Sequence, residues 1–467
     1  MPLAALVAAC GVSSLGATMT LIAVPWFVLV TTGSGTRTGA VAAAETLGLV
    51  LSVLLAGPLV DRYGARRAGV VADLFTCLAV MAIPLADALD RLSLPVLILL
   101  VFAIGAGRAP SRSAKQVMLP AVVAATGVRL ERATSAEESA LRTGDLLGAP
   151  LGGVLIGLFG PTTVLVADGA ALLVSAALVG LFVKGVATGG GERSGRERSG
   201  GEQDGGAGGS GVRGYLSELA ETAVQFRRDR LLLVLGASCA AVNALTGGLL
   251  SVLLPAYGVT VWHNSTLVGI VIAMACGGSI LGTALYGWLS GGGHRWRTFT
   301  VCNLISGAPV FVVVALDPHP VLLVVLVALC MVANGPVNPV IAAVKYARVP
   351  HELRGRVFAA FHASANAALP LGLLLAGMLL DAVGPATAVL VLGGVSLAVN
   401  LCPLAFRIWR EMDAPDSTDE VPEEAVQEAA AEADETAECE SLPPGDGKAT
   451  PEASGNKSSV PQESPHS

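Results

Sequence analysis

The chain has 467 residues, of which 53% are apolar, 14% charged and 4% aromatic, with a mean hydropathy of +0.67. Soluble globular chains carry about 25% charged residues, so this composition excludes a water-soluble globular protein and makes lipid the solvent of most of the chain. The formal charge of -7 belongs to one end: residues 411–467 hold 16 of the 36 acids and only Lys448 and Lys457 as bases, leaving 27 bases against 20 acids in the apolar body.

Apolar runs of about 18 or more residues are long enough to cross the hydrocarbon as helices. Six such runs are predicted at 3–31, 38–60, 68–87, 94–114, 136–159 and 162–183, and six more at 231–256, 266–289, 298–316, 321–345, 358–381 and 385–408. Arg108, Arg112, Arg142 and Asp145 interrupt the fourth and fifth. The chain divides into a first six-helix bundle (1–183), a cytoplasmic linker (184–230), a second six-helix bundle (231–410) and an acidic tail (411–467). The Gly, Ser, Arg and Glu of 185–214 cannot bury enough apolar surface to order the linker. Its end, with Leu216, Leu219, Ala223 and Phe226 at helical spacing, predicts an amphipathic helix on the membrane surface. The tail, rich in Glu, Ala, Pro and Ser, predicts disorder.

Lys and Arg sort by connection as the positive-inside rule requires. Arg62, Arg66 and Arg67, then Arg112, Lys115, Arg129 and Arg132, then 184–230, Arg295 and Arg297, and finally Lys345, Arg348, Arg354 and Arg356 fall in one set of loops. The opposite set offers only Arg37 and Arg91. This predicts a multi-pass cell-membrane protein with both termini cytoplasmic. No charged leader or small-residue cleavage site precedes the first span, so no removable signal peptide is expected.

Eight cysteines are scattered without C-x-x-C spacing, which predicts packing residues and no metal or disulfide framework. Gly209, Gly211 and Gly214 match a dinucleotide-loop spacing, but no strand precedes them. No hydrolase elbow, phosphate loop or zinc-spaced His pair is present. Neither an enzyme nor a cofactor is expected, and no nucleic-acid partner.

The connection after the second span reads Gly57-Pro58-Leu59-Val60-Asp61-Arg62-Tyr63-Gly64-Ala65-Arg66-Arg67. Gly57 would let two helices approach closely, Gly64 permits a tight turn, and Asp61 can face a helix N-terminus or a cation across an interface. This resembles the G-x-x-x-D-R-x-G-R-R signature of the major facilitator superfamily. Residues 114–120, residues 349–358 and the Gly/Pro pattern near Gly148 look like its branch of macrolide-efflux and enterobactin-exporter proteins. The resemblance implies an all-α integral membrane fold: twelve transmembrane helices in two six-helix bundles around a central cavity, exposed alternately to each side. Duplication is echoed where Pro150-Leu151-Gly152 before Gly160-Pro161 recurs as Pro370-Leu371-Gly372 before Gly384-Pro385. The residues from Gly57 to Arg67 suit a gate, and the second copy of that loop, from Gly287 to Arg297, has Gly291 where Asp61 would align.

The fifth span holds Gly144, Gly148, Pro150, Gly152 and Gly153, similar to the superfamily's antiporter motif, although Ala149 separates Gly148 from Pro150. Small residues let helices pass closely and Pro150 frees a backbone carbonyl, as a hinge requires. Ionisable groups inside the bilayer cost roughly 2.5 to 3.5 kcal/mol each on insertion scales, so they pair, face water or serve function. Arg108 resembles the membrane arginine of proton-coupled facilitators, and Asp145 on the next span is its expected partner for proton coupling. Glu45, without an evident partner, is a second candidate. Asp73 and Asp168 lie near span ends and are expected to cap or snorkel.

Asn243, Asn334, Asn338, His362 and Asn366 are candidates to line the cavity or to bridge helices, and Trp26, Phe27 and Phe361 to offer aromatic surface; Trp26 can equally anchor at an interface. The expected function is secondary efflux of an amphipathic small molecule, a drug, antibiotic or secondary metabolite, by proton antiport. The partners are then the lipid bilayer, the substrate and protons, with the chain acting as a monomer. The rival readings are a siderophore exporter of the same fold, a uniporter or importer, and a non-transporting scaffold.

Overall fold

The computed structural model describes residues 2–183, 229–289, 294–349 and 354–413. The expected linker with its amphipathic helix, and the tail beyond Asp413, lie outside the described residues, as does the side chain of Asp61. Among the described residues all regular structure is helical. The first half comprises α1 (Pro2–Thr32), α2 (Gly35–Tyr63), α3 (Ala65–Ala88), α4 (Leu94–Thr126), α5 (Leu130–Phe159) and α6 (Pro161–Phe182). The second comprises α7 (Arg230–Thr260), α8 (Ser265–Leu289), α9 (Arg295–Leu316), α10 (Pro320–Arg348), α11 (Arg354–Ala367, continuing as Leu369–Val383) and α12 (Pro385–Ala405). Ten of the twelve are long and apolar enough to cross a membrane. The other two, α2 and α5, are 29 and 30 residues long and complete the alternation between the two faces; residues 40–57 of α2 hold Glu45 as their one charged residue.

Local sequence explains where helices end and bend. Gly160 and Gly384 close α5 and α11 at φ +84° and +79°, and the prolines that follow open α6 and α12, because Pro fits the first turn and Gly tolerates a positive φ. The spans of the second half, expected to be continuous, are interrupted in four helices. A π turn occupies Leu249–Leu253 of α7, and breaks fall at Gly307 in α9, Gly335 in α10 and Ala368 in α11. Each lies one or two residues before a proline, Pro255, Pro309, Pro336 or Pro370, whose ring crowds the preceding turn and lacks a donor.

We call the face bearing the start of α1 and the end of α12 the terminal face, and its opposite the distal face. Within the first half α1 packs on α5 and α6, α2 on α4, and α3 on α4 and α6; within the second α7 packs on α11, α8 on α10, and α9 on α12. The halves join through α2 with α11 and α5 with α8. These contacts gather near the distal ends. A Cβ on Gly39 would stand 2.5 Å from the Leu373 carbonyl, and one on Gly153 equally close to that of Ser265, so helix backbones touch where only glycine fits.

The buried clusters have the same geometry. One apolar core crosses the distal seam, joining Ile22 and Phe27 of α1 to Leu253 and Tyr257 of α7 and Leu373 of α11. The terminal ends hold two separate cores, one around Leu6, Met118 and Val179 and one around Leu235, Phe299 and Phe361. Among the described residues the halves are therefore closed distally and parted terminally. A 3-10 turn, Arg407–Asp413, folds back under the second half, where Trp409 is buried and stacks on Phe299 with ring centroids 5.5 Å apart.

Candidate functional site: a charged spine in the first half

The fourth helix is longer than its apolar run suggested, and this changes the meaning of its bases. Lys115, expected in a loop, lies inside α4 and is 3% exposed. Arg108, Ser111 and Lys115 are spaced i, i+3 and i+7, one stripe of a helix. That stripe faces carboxylates from three other helices.

Arg108 is held between two acids. Its Nη1 is 3.5 Å from Glu45 Oε1 on α2, and its Nη2 is 3.2 Å from Asp168 Oδ2 on α6. Nη1 also donates to the Ala17 carbonyl at 3.3 Å, and the Thr20 hydroxyl donates to Asp168 Oδ2 at 2.6 Å. Packing sets this register: Gly48 sits against the Phe102 carbonyl and Gly105 against that of Glu45, which draws α2 onto α4 and brings Glu45 within reach of the guanidinium. Asp168 is 1% exposed and its Oδ1 has no hydrogen-bond partner among the described residues. That oxygen points at Gly16, where any side chain would collide with it.

One helical repeat further along α4, Lys115 Nζ lies 3.0 Å from Asp73 Oδ2 on α3. Ser175 donates to the same carboxylate at 2.8 Å, and Ser111 donates to its other oxygen. Asp73 is fully buried. The expectation that Asp73 and Asp168 cap or snorkel is thus corrected: both turn into the bundle, because α4 presents a cation to each.

The expected partnership of Arg108 with Asp145 is not made. Helix α5 packs chiefly on α1 and α8, so Asp145 instead accepts hydrogen bonds from Ser14 (2.5 Å) and Thr18 (3.2 Å) of α1. Glu45, expected to lack a partner, has Arg108. The small residues of α5 form two ridges. Gly144, Gly148 and Gly152 rest on α1, against Gly11, Leu15 and Met19, while Gly153 rests on Ser265 of α8 and Pro150 meets Gly269 there.

In the connection between α2 and α3, Gly64 adopts φ +80° and serves both as the end of α2 and the start of α3, the tight turn expected of it. Arg66 donates to the Gly180 carbonyl of α6, Arg62 lies over the Tyr63 ring, and Arg67 is exposed. A Cβ on Gly57 would meet nothing within 4 Å among the described residues, so the close helix approach expected there is not seen in this state; Gly57 lies toward the terminal face, away from the seam.

The polar candidates of the second half have separate placements. Asn243 bridges α7 to the Ala365 carbonyl of α11 at 2.9 Å. Asn334 accepts from Ser279 at 3.5 Å beside the α10 break, and Asn338 is exposed. Asn366 donates to the His362 carbonyl within α11 at 2.9 Å. Phe361 is buried, with the Lys345 ammonium 4.9 Å from its ring centre. Trp26 packs against Gly258 of α7, which places it in the distal seam.

The family model described as Major Facilitator Superfamily matches residues 6–292 and 236–453. The multidrug efflux pump Tap of Mycobacterium bovis is 31% identical over 408 residues, 86% of this chain and 92% of that protein. Tap of Mycolicibacterium fortuitum is 31% identical over 406 residues, 85% and 93% of the two chains. Among solved structures, the nucleoside transporter NupG aligns with a TM-score of 0.65 at 14% identity, covering 86% of this chain and 98% of its own. A bacterial homolog of the human lysosomal transporter Spinster, in an inward-facing and unoccupied conformation, aligns with a TM-score of 0.65 at 13% identity, covering 90% and 97%. The twelve-helix architecture, the α2–α3 turn and these matches agree: the chain is a multi-pass membrane transporter and belongs to the major facilitator superfamily.

Proposed function

We propose that this transporter exports an amphipathic small molecule from the cytoplasm in exchange for protons, with the Glu45, Arg108 and Asp168 trio as its coupling site. The observation that carries the reading is the charge count of that trio. Two acids share one guanidinium inside the membrane, so one proton on either acid leaves the group neutral and its loss leaves a buried net charge. Gain and loss of that proton change how tightly α2 and α6 are held to α4. Interacting carboxylates titrate as a unit, so the proton belongs to the pair rather than to one residue.

Orientation follows from charge. Among the described residues, Arg62, Arg66, Arg67, Arg129, Arg132, Arg295, Arg297, Arg348 and Arg354 lie at helix ends on the terminal face, and only Arg37 and Arg91 on the distal face. By the positive-inside rule the terminal face is cytoplasmic in the cell membrane. The closed distal seam then makes this conformation the one open to the cytoplasm, ready to load substrate. One charge crossing 100 mV supplies about 2.3 kcal/mol, a roughly fifty-fold gradient, so a single coupled proton sustains useful efflux. The likeness to Tap, a multidrug efflux pump over nearly its whole length, supports export over import.

The test is uptake into energised inverted vesicles, which present the cytoplasmic face outward. Accumulation of lipophilic compounds from a panel of macrolides, dyes and siderophores, abolished by a protonophore, is the expected result. Movement that ignores the protonophore and only follows the gradient would make the protein a uniporter and the trio a structural ion pair.

A further inference from the structure

The membrane carboxylates of the first half differ in one respect. Glu45 and Asp168 share Arg108, and Asp73 has Lys115. Glu137, toward the terminal face, is buried and, among the described residues, accepts only the Cys10 thiol, at 3.8 Å. Asp145 is half-buried, stands midway along the 30-residue α5, and has no cation partner among the described residues. The nearest base on its own helix, Arg142, is paired with Glu138 at 2.8 Å on the exposed side.

Its surroundings are arranged around one oxygen. The Ser14 and Thr18 hydroxyls both donate to Oδ1, and Gly144 and Gly148 beside Asp145 let α1 come close enough for this. Oδ2 is left without a protein partner among the described residues. Across the seam, Leu146 faces Gly277 of α8, where a Cβ would lie 3.6 Å from its side chain. Asp145 therefore sits where α1, α5 and α8 meet, between the halves, on the side of the seam that is open. Neutral hydroxyls orient a carboxylate but do not cancel its charge, and an uncompensated charge at this depth is costly.

We propose that Asp145 is the anionic subsite for the positively charged group of the substrate, and that the substrates are amphipathic organic cations. A fixed carboxylate with one oxygen held and one free offers a preorganised partner to a cation, while the apolar helices around it take the rest of the molecule. The cation site is separate from the proton trio, which rests on the exporter reading above and gives antiport through two sites coupled by α1: that helix supplies Ser14 and Thr18 to Asp145 and Thr20 to Asp168.

Binding of radiolabelled tetraphenylphosphonium to the purified full-length chain tests this. Asp145→Asn is expected to weaken binding by about tenfold or more, the loss of a charge-assisted contact, and Asp145→Glu to keep it within about threefold. No binding by the wild type, unchanged binding by Asp145→Asn, or equal loss in both variants overturns the cation site. Size-exclusion behaviour and thermal stability of Asp145→Asn matching wild type exclude misfolding as the cause of a loss. Wild-type binding of the cation without protonophore-sensitive uptake into vesicles would remove the exporter reading and leave the site standing.

Discussion

Asp381 of α11 caps α2 across the seam between the halves. Its Oδ1 accepts the Gly35 amide at 2.6 Å, and its Oδ2 accepts the Thr36 amide at 2.8 Å and the Ser34 hydroxyl at 2.9 Å. A negative charge at a helix N-terminus meets both the unpaired amides and the positive end of the dipole. The sequence Gly377-Met378-Leu379-Leu380-Asp381-Ala382-Val383-Gly384 repeats the spacing of glycines and acid in Gly57 to Gly64. The two copies end in glycines of matching φ, +79° and +80°, on opposite faces.

Replacing Asp381 by Asn should loosen the distal seam. The carboxylate lies at an exposed helix end and contributes about 0.3 to 1 kcal/mol, so the population open on the distal face should rise roughly two- to fivefold. Spin labels on the distal ends of α2 and α11 would report the longer distance. An unchanged distance distribution in Asp381→Asn would mean that the glycine contacts alone hold the seam.

Either acid of the trio, made neutral, should uncouple transport rather than abolish it. Asp168→Asn and Glu45→Gln are expected to lose protonophore-sensitive accumulation yet retain exchange of labelled for unlabelled substrate. Arg108→Ala should be the most damaging, since removing one partner of a buried group costs about 3 to 5 kcal/mol and leaves two carboxylates facing each other. Thermal unfolding in detergent separates that loss from a specific defect in coupling.

The Asp73 and Lys115 pair predicts a different pattern. Lys115→Met alone strands a buried carboxylate and should lower stability by about 3 to 5 kcal/mol, whereas Lys115→Met with Asp73→Asn should recover most of it, because no buried charge is left unpaired and the amide can still hydrogen-bond with Ser111 and Ser175. Recovery of transport along with stability identifies the pair as a structural brace. Recovery of stability without transport would place it on the proton's route.

Particular residues show how much of this the sequence makes legible. The twelve spans and the side on which the bases lie come from run length and charge, which lipid enforces at each helix independently. The Arg108, Ser111 and Lys115 stripe was present as a spacing. It was hidden because the apolar run ends near residue 114, while the helix continues to Thr126 with Lys115 neutralised inside the bundle. The pairing of Arg108 with Asp145 assumed that helices adjacent in sequence are adjacent in space, but α5 packs on α1 and α8. Asp168 was legible only as a lone acid, since its partner lies 60 residues away.

Glycines at the seam should be less replaceable than glycines of the α2–α3 connection. A Cβ on Gly153 would stand 2.5 Å from the Ser265 carbonyl, which lies in a backbone that cannot yield as a side chain does, and Ser265 also donates to the Gly153 carbonyl at 2.8 Å. Gly153→Ala should therefore pry α5 from α8 and reduce the state closed on the distal face. Gly57→Ala meets nothing within 4 Å among the described residues in this state, so it should leave the state intact and act only when the terminal ends close. Labelling of a cysteine placed at the distal end of α8 distinguishes the two: faster labelling is expected for Gly153→Ala and an unchanged rate for Gly57→Ala. Equal rates in both variants would show that the seam tolerates a methyl group and that backbone contact is not what seals it.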